Sequence, residues 1–130
     1  MAVELNVSVM HSTPNRPLSK SERALPRWML EHGNTEKSPF LHQLELAEVS
    51  PWHCSCGCAT INFQIKGSPE ALPGVHILGD YLFGDGASTS GIFIFESGGF
   101  LSGIEVYGLG GDAPSILPTP QELRTFENGQ

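Results

Sequence analysis

Apolar and polar positions alternate strictly at the start of the chain. Val3, Leu5, Val7 and Val9 fall on one side, and Glu4, Asn6 and Ser8 on the other. Period two with β-branched side chains predicts a half-buried strand. Its terminal position makes residues 1–18 an edge strand or an arm. The period then changes. Leu25, Trp28, Met29 and His32 share one face at helical spacing. Ser19, three residues before Glu22, has capping-box spacing, and Gly33-Asn34 supplies a stop. Pro26 lacks an amide and conflicts with a helix begun at Ser19, so the helix starts late, near Leu25, or has a loose first turn. Ser38-Pro39 repeats the start signal. Phe40, Leu41, Leu44 and Ala47 outline a second, shorter helix closed by Ser50-Pro51, which completes a helical part over residues 19–48.

Between residues 54 and 107 the alternation returns. Ile61, Phe63 and Ile65 face one way in a strand near 58–66. A second strand covers 75–83, with Gly79 marking a bulge. Strands at 91–96 and 100–107 flank Ser97-Gly98-Gly99 and form a hairpin. The Pro/Gly-rich tail, 108–130, holds at most one helical turn after Pro120. The sum is an α+β domain with two N-terminal helices packed on one face of a mainly antiparallel four- to five-stranded sheet, its other side wet.

Composition refines this picture in two ways. With 15 Gly and 10 Pro, turns are many and elements short. At 130 residues the chain fits one domain, and a domain of that size buries roughly two-thirds of its unfolded surface without help from disulfide or metal. Charge is lopsided. Residues 67–130 carry Arg124 alone against Glu70, Asp80, Asp85, Glu96, Glu105, Asp112, Glu122 and Glu127, and so hold the whole net charge of −7. An acidic half argues against nucleic acid and anionic membrane as partners, and suits a basic protein. The first residues lack a basic stretch followed by an apolar core, so no signal peptide is expected. No apolar run approaches the roughly 18 residues of a membrane span. Three cysteines, odd in number and crowded together, suit a reducing cytoplasm better than an oxidised scaffold.

His53-Cys54-Ser55-Cys56-Gly57-Cys58 is the one segment able to carry chemistry, and three readings compete. Thiolate and imidazole are the usual zinc ligands. Geometry restricts them, because two sulfurs on one tetrahedral zinc lie roughly 3.8 Å apart whereas residues i and i+2 of a strand lie about 6.5 Å apart. Only a turn, which Gly57 permits, would bring them together. His11, His32, His42 and His76 are scattered singly and offer no second half-site. Thiol chemistry is the second reading, although the closest Lys or Arg to lower a thiol pKa is Lys66. The third, which sequence favours, is structural: the thiols line the entry to the 58–66 strand as compact interior filling.

Glu96 and Glu105 belong to facing strands of the hairpin and are expected as near neighbours. With Asp80 and Asp85 they are the candidate interaction residues. Paired carboxylates on a solvated sheet face are far commoner than acid–base pairs. No nucleophile elbow, phosphate loop or H-E-x-x-H appears.

Ser21-Glu-Arg-Ala-Leu25, Leu41-His-Gln-Leu44, Cys54-x-Cys56-Gly-Cys58-Ala-Thr-Ile61, Leu101-Ser-Gly-Ile-Glu-Val-Tyr107 and Leu117-Pro-x-Pro-x-x-Leu123 follow in that order. The chain resembles a family of small bacterial proteins of unknown function that share a C-x-C-G-C-x-T-I segment and a C-terminal LSG-x-EVY hairpin. The resemblance covers most of residues 19–123 and implies a bacterial origin and a compact domain, with no catalytic role to carry over. The functional expectation is a non-catalytic, immunity-type module that binds a basic partner, with a zinc or thiol module as the alternative. A homodimer would form through an exposed strand edge, at 3–9 or in the hairpin.

Overall fold

The computed structural model describes residues 14–33, 38–69 and 72–126. The strand expected over residues 3–9 lies outside the described residues. The fold is α+β. Its elements are β1 (Arg16–Pro17), α1 (Lys20–Glu31), α2 (Ser38–Leu44), β2 (Ala47–His53), β3 (Ile61–Ile65), β4 (His76–Phe83), β5 (Ser90–Ser97) and β6 (Phe100–Gly108). Six strands form one antiparallel sheet in the order β1-β2-β3-β6-β5-β4.

The capping box at the start of α1 forms as its spacing predicts. Ser19 Oγ accepts from the Glu22 amide at 3.1 Å, and Glu22 Oε1 accepts from the Ser19 amide at 2.9 Å. Arg16 closes the corner with two bonds to the same carboxylate, at 2.7 and 2.9 Å. This grip sets the helix start at Lys20 rather than near Leu25, and the helix runs through Pro26. The proline leaves the Glu22 carbonyl without its helical donor, but its ring is buried among the core side chains. Burial offsets the lost bond.

The second helix is shorter than expected. It ends at Leu44, and turn bonds from Glu45 to His42 (3.1 Å) and from Leu46 to Gln43 (2.8 Å) reverse the chain. Residues assigned above to the helix end and its stop, Ala47 to Pro51, form β2 instead. Ala47 and Val49 point into the core, opposite Ile65 and Phe63. Pro51 is tolerated because the register is irregular between Val49 and His53, so the missing amide breaks no regular ladder. β2 and the two-residue β1 take the sheet from the expected four or five strands to six.

The hairpin of β5 and β6 joins the middle of the sheet to its β4 edge. Gly98 and Gly99, at φ 61° and 91°, make the two-residue connection. Ile92, Ile94 and Ile104 are fully buried and pack with Leu25 and Met29 of α1 and Leu44 of α2 in one hydrophobic cluster. Tyr81 of β4 donates its hydroxyl to the Met29 carbonyl at 2.8 Å, tying sheet to helix. Gln43 of α2 clasps the hairpin by donating to Gly99 O at 2.8 Å and accepting from the Leu101 amide at 2.7 Å. The bulge expected at Gly79 is present, as a register shift between Ile77 and Gly79. The helical turn after Pro120 is a single 3-10 turn, Pro120–Glu122, beyond which Arg124 bridges the β4 edge at Leu82. Among the described residues no helix is long and apolar enough to cross a membrane.

Candidate functional site

β2 ends at His53, β3 begins at Ile61, and the thiols occupy the connection. The Gly57 amide donates to Cys54 O at 3.1 Å and closes a turn, with Gly57 at φ 84°. That left-handed conformation is open to glycine at little cost. The reversal brings together what an extended strand would separate. The Cys54 and Cys56 sulfurs are 2.7 Å apart, and all three sulfurs lie within 4.8 Å of one another.

Neighbouring groups hold the turn in place. The Cys56 amide donates to Cys54 Sγ at 3.4 Å, and the Cys58 amide to Cys56 Sγ at 3.3 Å. Cys58 Sγ sits 3.4 Å from Thr60 Oγ1, which is anchored by accepting from the Val106 amide of β6 at 3.0 Å. The Ala59 amide donates to Pro114 O at 2.9 Å, fixing the far side to the loop after β6. Amide donors aimed at sulfur favour thiolate. Burial pushes the Cys58 thiol up, yet the bonds from Thr60 and Cys56 outweigh it and bring Cys58 down to about 7. The Cys54 and then the Cys58 sulfur beside it push Cys56 up to about 11.

The thiols are not interior filling. Cys56 is exposed, while Cys54 and Cys58 are half-buried, and only Cys58 touches the margin of the core. All three border a solvent-open cavity of about 420 Å³ whose other walls include Trp52, Glu105 and Tyr107. Trp52 is 49% exposed and also borders a second cavity of about 230 Å³, lined by Asn62, Gln64, Phe95 and other uncharged residues. Among the described residues, Cys54, Cys56 and Cys58 are the one group of three or more potential metal ligands close enough to share an ion. The His53 side chain and His11 lie outside the described part. His32 stacks on Trp28 at 3.9 Å and His76 pairs with Glu96 at 2.6 Å, so both are engaged elsewhere.

The four acidic candidates do not form one patch. Glu105 stands opposite Phe93, whereas Glu96 pairs in register with Leu101 beside the hairpin turn, so the two are not the neighbours expected. A bulge between Phe95 and Glu96 displaces them further. Glu96 accepts from His76 and from the Gly99 amide (2.9 Å), and the His76 bond, above all, holds its pKa below the usual carboxylate range. Asp80 accepts from the Tyr107 hydroxyl at 2.9 Å; burial raises its pKa against that bond. Asp85 is exposed before the 3-10 turn at Gly86–Ser88, at the other end of the hairpin. Sequence reasoning missed Trp52, Thr60 and Tyr107. Thr60 sits two residues beyond the last thiol and could have been included, but nothing local marks the other two.

Compared with protein-family models, curated proteins and solved structures, the chain matches none.

Proposed function

We propose that the protein is a zinc-binding module in which Cys54, Cys56 and Cys58 hold one ion as thiolates. The single observation that carries this reading is the gathering of three sulfurs from alternate residues within 4.8 Å of one another at the mouth of a cavity, with the 2.7 Å Cys54–Cys56 separation having to open to about 3.8 Å around the ion. Zinc accepts sulfur ligands without a geometric demand of its own. A closed structural site has four protein ligands, while three plus an open position is the arrangement of sites that exchange a ligand. No residue of α1 or α2 lines the thiol cavity, so neither helix covers it. Metal analysis of protein purified without an affinity tag tests the reading. About one zinc per chain is expected, lost when the three cysteines become serine. Metal-free protein that takes up no added zinc would overturn it.

A second reading, binding of a basic protein by the acidic half, is supported by the charge of residues 67–130. Glu105 and Asp85 would lead it, because Glu96 and Asp80 already have partners. Binding that survives Asp85→Lys and Glu105→Lys would exclude it.

A further inference from the structure

We propose that the fourth position on the metal is filled by a small thiol from solution, and that Glu105 selects a cationic one. This rests on the zinc reading above. Among the described residues three sulfurs gather and no fourth His, Cys, Asp or Glu joins them. The space beside them, about 420 Å³, far exceeds the ~30 Å³ share of one water. A ligand of several heavy atoms fits.

The chemistry of the donors selects the class of ligand. Three thiolates make a soft site, and soft sites prefer sulfur over water or carboxylate. A thiol that coordinates gives up its proton. The step is therefore RSH plus the open position giving metal-bound RS⁻, with H⁺ released to solvent and no electron transferred. Charge selects within the class. Zinc with three thiolates carries a net charge of about −1, and the Glu105 carboxylate lines the same cavity. An anionic thiol is repelled there and an aminothiol attracted. The half-exposed Trp52 indole on the cavity wall adds a face on which an ammonium group can rest.

Cobalt(II) in place of zinc makes the site visible. Three probes of similar size are titrated into the cobalt-loaded full chain: cysteamine, 2-mercaptoethanol and thioglycolate. The sulfur-to-cobalt absorption is expected to rise by roughly one third, as three thiolates become four. Cysteamine should reach half-saturation at the lowest concentration and thioglycolate at the highest. In Glu105→Gln the cysteamine midpoint should rise about fivefold while cobalt uptake stays unchanged. Failure to take up cobalt or zinc at all sinks the zinc reading itself. Uptake with a spectrum indifferent to all three thiols overturns the present inference alone. So does a fourth protein ligand, seen as a spectral change in His53→Ala. Thiol binding with identical midpoints in Glu105→Gln removes Glu105 from the selection.

Discussion

The ring of Tyr107 occupies the space that a Cβ on Gly91, its partner in register on the adjacent strand, would need. A cross-strand aromatic thus covers a glycine, and from there its hydroxyl reaches Asp80 on the next strand over. Tyr107→Phe keeps the ring and loses the bond, at a cost of about 1 kcal/mol. Gly91→Ala displaces the ring and loses both, costing about 2–3 kcal/mol. Urea unfolding of the two single variants and the double variant checks this. The double should cost little more than Gly91→Ala, because the bond is already broken there.

Acid stability should depend on Glu22. Its bond to Arg16, reinforced by the Ser19 amide against partial burial, holds the carboxyl at about 2, below its ordinary 4.5. A depressed carboxylate stabilises the fold fully above the unfolded pKa, and the contribution is lost as pH falls through the folded one. Melting temperature should therefore decline between about pH 4.5 and 2 in the wild type. Glu22→Gln should start lower at neutral pH, by about 1 kcal/mol for the cap, and decline less over that window. Parallel curves would show that Glu22 contributes nothing to the acid limb.

The His76–Glu96 pair is predicted to be asymmetric. His76 is exposed and its ion pair is a surface one, so His76→Ala should cost under about 0.5 kcal/mol. Glu96 also accepts the Gly99 amide at the hairpin turn. Glu96→Ala should cost about 1 kcal/mol more. Equal losses in chemical denaturation would contradict this division.

If Cys54, Cys56 and Cys58 hold zinc as proposed, removing it should leave the fold standing. Cys54 and Cys56 lie outside the hydrophobic cluster, which is built on α1, α2 and the sheet. Chelator-treated protein should keep its far-ultraviolet circular dichroism. Its melting temperature should fall by roughly 10 °C if free zinc had stood about a hundredfold above Kd. Loss of the β signal on chelation would show that metal and fold are inseparable.

How much of this was legible in the sequence depended on how local the cause was. The β5–β6 hairpin could be read because Gly98-Gly99 and two alternating runs are contiguous, and the cap of α1 because Ser19 and Glu22 are one turn apart. β2 was hidden. Leu44 and Ala47 fit helical spacing, Ala47 and Val49 fit a strand, and Pro51 argued against a strand until the register irregularity is known. β1, two residues with a proline, gains its identity only from its partner. At the site the thiols were visible but their exposure was not, since that follows from where Thr60 and Pro114 anchor the turn. Glu105 and Tyr107 reach the same cavity from β6, across the sheet, which no local pattern encodes.

All three thiols fall within five consecutive residues, between two strands that pair directly, β2 and β3. Gathering them closes no long stretch of chain, so bringing the three thiols together costs little entropy. On the zinc reading, metal affinity should appear in folding once β2, β3 and β6 have paired, because Val106 of β6 holds Thr60 beside the last thiol. The proposed site would then ask little of the fold beyond these two strands and the anchors at Val106 and Pro114 that hold Thr60 and Ala59.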